Sequence, residues 1–250
     1  MSSPIAERSP GEFPEMSQHA DEPHSDSLNG LLNRLRAAVL GANDGIVSVA
    51  AIVMGFAGAT ADRQLIFLGG VAALVGGALS MASGEYVSVS SQRDTERALI
   101  HKETRELATE PEEELAELAA LYREKGLSDE IALEVAAQLT AHDALGAHAE
   151  AELGIDPDNL TNPWQAAFAS MGAFTLGALL PLLTITLAPT GVRIAVTVVA
   201  VTLALALTGW LSASSGEAPR RPAILRNVAG GLLAMGVTYL IGSLVGSGFG

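Results

Sequence analysis

One face of a long, unbroken helical stretch carries a thioether followed by a row of oxygen donors. No proline occurs between Ile66 and Leu107, and the last glycine before Leu107 is Gly84. At about 100° per residue, Met81, Glu85, Ser88, Gln92, Glu96, Glu103, Glu106 and Glu110 fall within an arc of roughly 80°. Arg93, Arg97 and Arg105 project elsewhere, and Lys102 reaches only the edge of the stripe. Like charges at i,i+3 and i,i+4 destabilise a helix by about 0.2–0.5 kcal/mol per pair, so such a row calls for a compensating cation.

Further along, the same chemistry recurs in pairs. Glu103 with Glu106, and Glu114 with Glu117, stand at i,i+3, which turns two carboxylates of one helix toward one cation. His148 and Glu152 stand at i,i+4 and add an imidazole to the donor set. Carboxylates with one nitrogen suit Fe²⁺ or Mn²⁺, and Co²⁺ and Zn²⁺ are also compatible with them. Two acids lie inside apolar stretches: Asp44 near the middle of LGANDGIVSVAAIVMG, and Glu85 in SMASGEYVSVSSQRD. An ionised acid at the centre of a membrane helix costs at least about 2.5 kcal/mol, so intramembrane acids mark ion paths. Met81, one turn before Glu85, is a soft donor that favours a transition metal over Ca²⁺ or Mg²⁺. Asp44, Met81 and Glu85 are therefore the expected translocation path. Glu103, Glu106, Glu114, Glu117, His148 and Glu152 are the expected metal ligands.

The elements that position these groups are membrane spans. A mean hydropathy of +0.34 with 17% charged residues over 250 residues is too apolar for an ordinary soluble domain. A span needs about 20 mostly apolar residues. Windows at 36–60, 65–90, 164–188, 192–213 and 224–247 qualify, and four of them are rich in Gly, Ala and Ser, which permits close helix packing. The predicted fold is an all-α membrane protein with five transmembrane helices and a three-helix insert between spans 2 and 3. Lys and Arg lie before span 1, after span 2 and between spans 4 and 5, against only Arg63 and Arg193 on the other side. By the positive-inside rule the N-terminus and insert face the cytosol and the C-terminus lies outside.

Four segments follow. Residues 1–27 form a polar, disordered cytosolic tail without the apolar core of a signal peptide, and its His19 and His24 are read as solvated. Residues 28–90 hold spans 1 and 2, 91–161 the cytosolic insert, and 162–250 spans 3 to 5. In the insert, the first helix runs to about Ala108 and is stopped by Pro111. A second helix ends at Gly126, and a third, capped by Ser128, runs to Leu153 before Gly154. Leu115, Leu118, Ala119 and Leu121, with Ile131, Val135, Leu139 and Leu145, are the expected packing faces. The zero cysteine count excludes disulfides, thiolate metal sites and cysteine nucleophiles. Net charge is −14, and residues 94–160 hold 18 of the 28 acids but 5 of the 14 bases. That balance argues against nucleic acid or anionic lipid headgroups as partners and for cations.

The runs LGANDGIVS in span 1 and GALSMASGEYVSVSSQRD in span 2, the acidic insert, and ELGI followed by NPWQAAFAS opening span 3 resemble the vacuolar iron transporter family. The likeness covers about residues 28–250. It implies a homodimeric Fe²⁺/H⁺ antiporter with a cytosolic metal-binding domain, in which the ion is cargo, the proton is counter-ion, and no prosthetic group is held. By position, Asp44 and Met81 match the family's translocation acid and methionine, and Glu103, Glu106, Glu114, Glu117 and Glu152 its metal-binding glutamates. Where plant members carry a methionine pair, this chain has His148 and Ala149, which makes the donor set harder. The Ala- and Gly-rich composition and short loops point to a bacterial cytoplasmic membrane.

The reading expected from the sequence is an exporter of Fe²⁺, with Mn²⁺ as a second cargo, driven by proton exchange. A membrane-anchored metal sensor, whose acidic helices bind metal without transport, is the alternative from another class. A di-iron membrane oxidase would need Glu-x-x-His pairs, but Leu145 stands three residues before His148.

Overall fold

The computed structural model describes residues 25–215 and 219–248, with side chains over 38–214 and 219–248. Residues 1–24, most of the predicted tail, lie outside the described residues. The described residues form seven α-helices: α1 (Ser25–Ala59), α2 (Arg63–Thr109), α3 (Pro111–Glu124), α4 (Asp129–His148), α5 (Pro163–Leu187), α6 (Arg193–Ser215) and α7 (Arg220–Gly248). Among them α1, α2, α5, α6 and α7 are long and apolar enough to cross a membrane, as the five windows predicted. The protein is an all-α membrane protein.

Helix α2 is the longest element, 47 residues or about 70 Å at 1.5 Å each. Its start is set by Asp62, whose carboxylate accepts from Gln64 N at 2.8 Å. Pro111 ends it by opening α3 at a position where a missing N–H costs nothing. The rod thus leaves the bundle without a break and carries the insert on its far half.

Helix α1 sits in the middle of the bundle, against α5 on one side and α7 on the other. Small residues make this approach possible. A Cβ at Gly45 would run into Phe174 O, and one at Gly177 into Ala42 O; Gly242 and Gly246 meet the carbonyls of Gly55 and Ala59 in the same way. In lipid, where tails are as apolar as leucine, such close van der Waals packing supplies much of the association energy. Ile46, Val49, Val53, Ile66, Phe174, Leu182, Ile185, Val201, Leu205 and Met235 fill the bundle core.

At the end away from the insert, two arginines tie the loops together reciprocally. Arg63 Nη2 donates to Ala188 O at 3.1 Å, and Arg193 Nη2 donates to Ala61 O at 3.2 Å. Both carbonyls lie just past helix C-termini, where a cation complements the helix dipole. The two bases that broke the charge asymmetry in the sequence are thus spent on the fold.

The insert packs α3 on α4 around Leu118, Ala119 and Ala136, with Leu115, Tyr122, Ala147 and Ala151 beside them. Two expectations are corrected here. Ile131 is 55% exposed, whereas Ala132 and Ala136 are buried, Ala136 in the cluster with α3; Val135, Leu139 and Leu145 are half-buried. The third helix also does not run regularly to Leu153. Asp143 is non-helical (φ −155°, ψ 93°) and accepts from Gly146 N at 3.0 Å, re-capping the last stretch. After His148 the chain makes a π-helical turn over Ala149–Leu153, ended by Gly154 in the left-handed region at φ 64°. Ser128 stands at the predicted N-cap position of α4, without a side-chain cap bond.

Candidate metal centre

Four side chains from four elements converge on the inner face of the insert. Glu103 comes from α2, Glu114 from the first turn of α3, His148 from the end of α4, and Glu152 from the π turn. One ligand atom of each lies within 4.8 Å of all the others. Donors at about 2.0–2.2 Å from one ion stand up to about 4.2 Å apart, so the group needs only a modest contraction to share a cation. His148 follows the interruption at Asp143 and Glu152 lies in the π turn, so both irregular stretches of backbone adjoin the group.

Burial makes the arrangement unusual. Glu103 is 3% exposed, Glu114 6% and His148 0%, whereas Glu152 is exposed and opens the group to water. His148 Nδ1 lies 3.0 Å from Glu103 Oε1 and 3.4 Å from Glu114 Oε2. Both imidazole nitrogens and Glu103 Oε1 are buried without a hydrogen-bond partner among the described residues. Buried polar atoms without partners are costly, and a cation shared by the four side chains would satisfy the acceptors among them.

The carboxyls respond as crowded buried acids do. Burial raises the Glu103 pKa above the ordinary value, and the charge of Glu152 adds to this, while a hydrogen bond with Glu114 pulls the other way. Glu114 is pushed up to about 7, first by burial and then by the charges of Glu103 and Glu117, against a lowering influence from His148. The nearby ammonium of Lys102 is committed to Glu106 at 2.8 Å. Glu106 and Glu117 lie outside the group of four, at its rim, where their charges still raise Glu114.

Of the stripe on α2, Glu96 is engaged elsewhere. Its Oε1 accepts from Gln92 Nε2 at 2.8 Å, and its Oε2 accepts from Thr161 Oγ1 at 3.2 Å and Thr161 N at 3.4 Å. Thr161 precedes Asn162, the N-cap of α5, so Glu96 closes the base of the insert. Glu85 is exposed, and Met81 is half-buried against the bundle core. Asp44 is exposed on the outer side of α1, with Ser48 Oγ donating to its Oδ1 at 3.1 Å. The structure therefore brings Glu103, Glu114, His148 and Glu152 together and keeps Asp44, Met81 and Glu85 apart from them in the bundle. Two further polar groups escaped the sequence reading. Asn227 and Thr208, on α7 and α6, hydrogen-bond to Asn43 inside the bundle; a lone amide in an apolar window was the available signal.

A model of the VIT family matches residues 35–243, which takes in the first four spans, most of the fifth, the insert and every residue of the group of four. The chain belongs to the VIT family. Among VIT-family relatives, a protein named vacuolar iron transporter from Acanthamoeba castellanii is 42% identical over 232 residues, covering 89% of this chain and 82% of that protein. Vacuolar iron transporter homolog 4 of Arabidopsis thaliana is 39% identical over 214 residues, covering 85% and 84%. VIT-like transporter 1b of Glycine max is 33% identical over 214 residues, covering 85% and 76%.

Proposed function

We propose that this VIT-family protein transports a divalent transition metal, Fe²⁺ first and Mn²⁺ second, out of the cytosol in exchange for protons. The observation that carries the reading is the buried group of Glu103, Glu114, His148 and Glu152, with its orphaned imidazole nitrogens, on a helix continuous with a membrane span. Its three carboxylates and one imidazole suit Fe²⁺ and Mn²⁺, and Co²⁺ and Zn²⁺ as competitors. Membership in a family whose relatives are named iron transporters supports transport over sensing.

Capture and translocation are separate steps in this scheme. Glu103 and Glu85 are 18 residues apart on α2, or about 27 Å along its axis, and Glu96 between them is occupied by Thr161. The insert therefore concentrates metal near the membrane rather than passing it from acid to acid. The ion then reaches Asp44, Met81 and Glu85. Asp44 binds either metal or proton, which makes the exchange obligatory.

The working unit is a homodimer. A carboxylate on the outer side of α1 faces hydrocarbon in a single chain, which is costly, whereas a second copy against α1 and α2 encloses it. The distribution of basic residues supports a cytosolic N-terminus and insert with the C-terminus outside, and the Ala- and Gly-rich composition with short loops supports a bacterial cytoplasmic membrane.

The test is Fe²⁺ flux in proteoliposomes with an imposed pH gradient. Wild-type protein is expected to respond to the gradient, and Asp44→Asn to lose flux while calorimetry still finds metal bound to the full chain. Flux indifferent to the gradient removes the antiport claim. Unchanged flux in Asp44→Asn removes the carrier role and favours a binding protein that senses metal.

A further inference from the structure

Asn43 and Asp44 are neighbours on α1, so their side chains diverge by about 100°. Asp44 is exposed, and Asn43 turns into the bundle. There Asn43 Oδ1 accepts from Thr208 Oγ1 of α6 at 3.0 Å and from Asn227 Nδ2 of α7 at 3.2 Å. Asn227 Nδ2 also lies 3.4 Å from Thr208 Oγ1, which closes a three-membered polar knot. On its other side the same turn of α1 is held by backbone contact, Gly45 against Phe174 O and Gly177 against Ala42 O.

Close glycine contacts already resist rotation of α1, Gly45 against Phe174 O of α5 and Gly58 against Tyr239 O of α7. The knot adds directional bonds to the α6–α7 side at the level of Asp44. Turning α1 by one residue would move the Asn43 amide out of the knot and strip its Oδ1 of both donors, while Thr208 Oγ1 keeps Leu205 O at 3.2 Å and Asn227 Nδ2 keeps Thr208 Oγ1 at 3.4 Å. The same turn would swing the carboxylate of Asp44 toward the apolar core.

We propose that Thr208 and Asn227 are positioning residues for the Asp44 carboxylate, acting through Asn43 to fix the rotation of α1. The proposal rests on the transport reading above for its functional consequence, but its structural content is measurable without transport. The knot joins α1 to both helices of the α6–α7 hairpin at the level of the acid, so it couples the hairpin to the carboxylate's direction.

The chain has no cysteine, so Leu40→Cys supplies a unique thiol one turn from Asp44 on the same exposed side of α1. Full-length protein in this background, reconstituted in liposomes, is compared with added Thr208→Val, Thr208→Ser and Asn227→Leu. Labelling with a membrane-impermeant maleimide and Fe²⁺ flux are both read. Thr208→Val and Asn227→Leu are expected to lower maximal flux about tenfold while the apparent KM stays within about twofold, because orientation is lost and capture is not. Both should also change the labelling rate severalfold at an unchanged thermal midpoint, and Thr208→Ser should restore flux and labelling together. Wild-type flux and labelling in Thr208→Val and Asn227→Leu would overturn the proposal, as would losses that merely follow loss of folded protein. A wild-type chain that carries no Fe²⁺, with labelling still altered by the substitutions, would sink the transport reading and leave the positioning role standing.

Discussion

Removing metal should make this protein less stable as the pH rises toward neutrality, the reverse of what paired carboxylates do. Glu114 is held near 7 in the folded chain against an ordinary 4.5, and Glu103 is moved in the same direction. A carboxyl with a raised folded pKa keeps its proton on folding, so the folded state binds more protons than the unfolded one across that interval. Stability is fully present below about 4.5 and falls as pH climbs through about 7. In full, a displacement of this size for Glu114 is worth about 3 kcal/mol. Water reaches the group through the exposed Glu152 and Glu117, so about half of that is the realistic cost. For a chain of this length, 1 kcal/mol moves a thermal midpoint by about 2–4 °C, which gives a decline of about 3–6 °C between pH 4.5 and 7.5. The assay is thermal unfolding of the full chain in detergent with chelator, comparing wild type with Glu114→Gln so that slopes from the other acids cancel. Saturating Mn²⁺ at about a hundred times its Kd adds about 2.7 kcal/mol by mass action. The added stability should be larger at pH 7.5 than at pH 5, where protons compete for the same oxygens. A wild-type slope identical to that of Glu114→Gln, or a metal-induced shift independent of pH, would refute the reasoning.

Three substitutions probe the remaining parts. His148→Ala removes the single nitrogen donor and leaves Glu103 and Glu114 facing a void, so Fe²⁺ affinity of the full chain measured by calorimetry should fall by about 10–100-fold. Flux at saturating metal should persist in the same variant. Met81→Leu keeps the volume and deletes the thioether; fold stability should change by less than about 1.5 kcal/mol, while Fe²⁺ and Co²⁺ flux falls more than Mn²⁺ flux. Gly177→Leu drives a side chain into the carbonyl of Ala42 and should cost more than about 3 kcal/mol, seen as loss of folded protein in detergent.

Much of this molecule is legible along the chain because the relevant physics is local. Membrane residence follows from runs of apolar residues long enough to cross a bilayer, and all five windows became helices. The absence of proline and glycine after Gly84 makes α2 a single rod, and Pro111 ends it, because these residues act on their own turn of backbone. Spacing likewise puts Glu103 and Glu114 on definite helix faces, whereas the π turn that carries Glu152 was not legible in it. What spacing along one helix does not specify is which neighbour that face meets. Six candidate ligands read alike in the sequence, yet four of them converge, while Glu106 pairs with Lys102 and Glu117 stands at the rim. Glu96 belongs to the same stripe as Glu103 and instead holds Thr161, because the chain returns to the membrane beside it. At the start of α4 the enclosed residue is Ala132 and not the larger Ile131, a choice that depends on how the helix packs. The knot of Asn43, Thr208 and Asn227, and the arginines that bind the opposite loops, join residues more than a hundred positions apart in the chain. Those contacts exist only where helices cross, and the crossings are set by how small residues let whole helices pack.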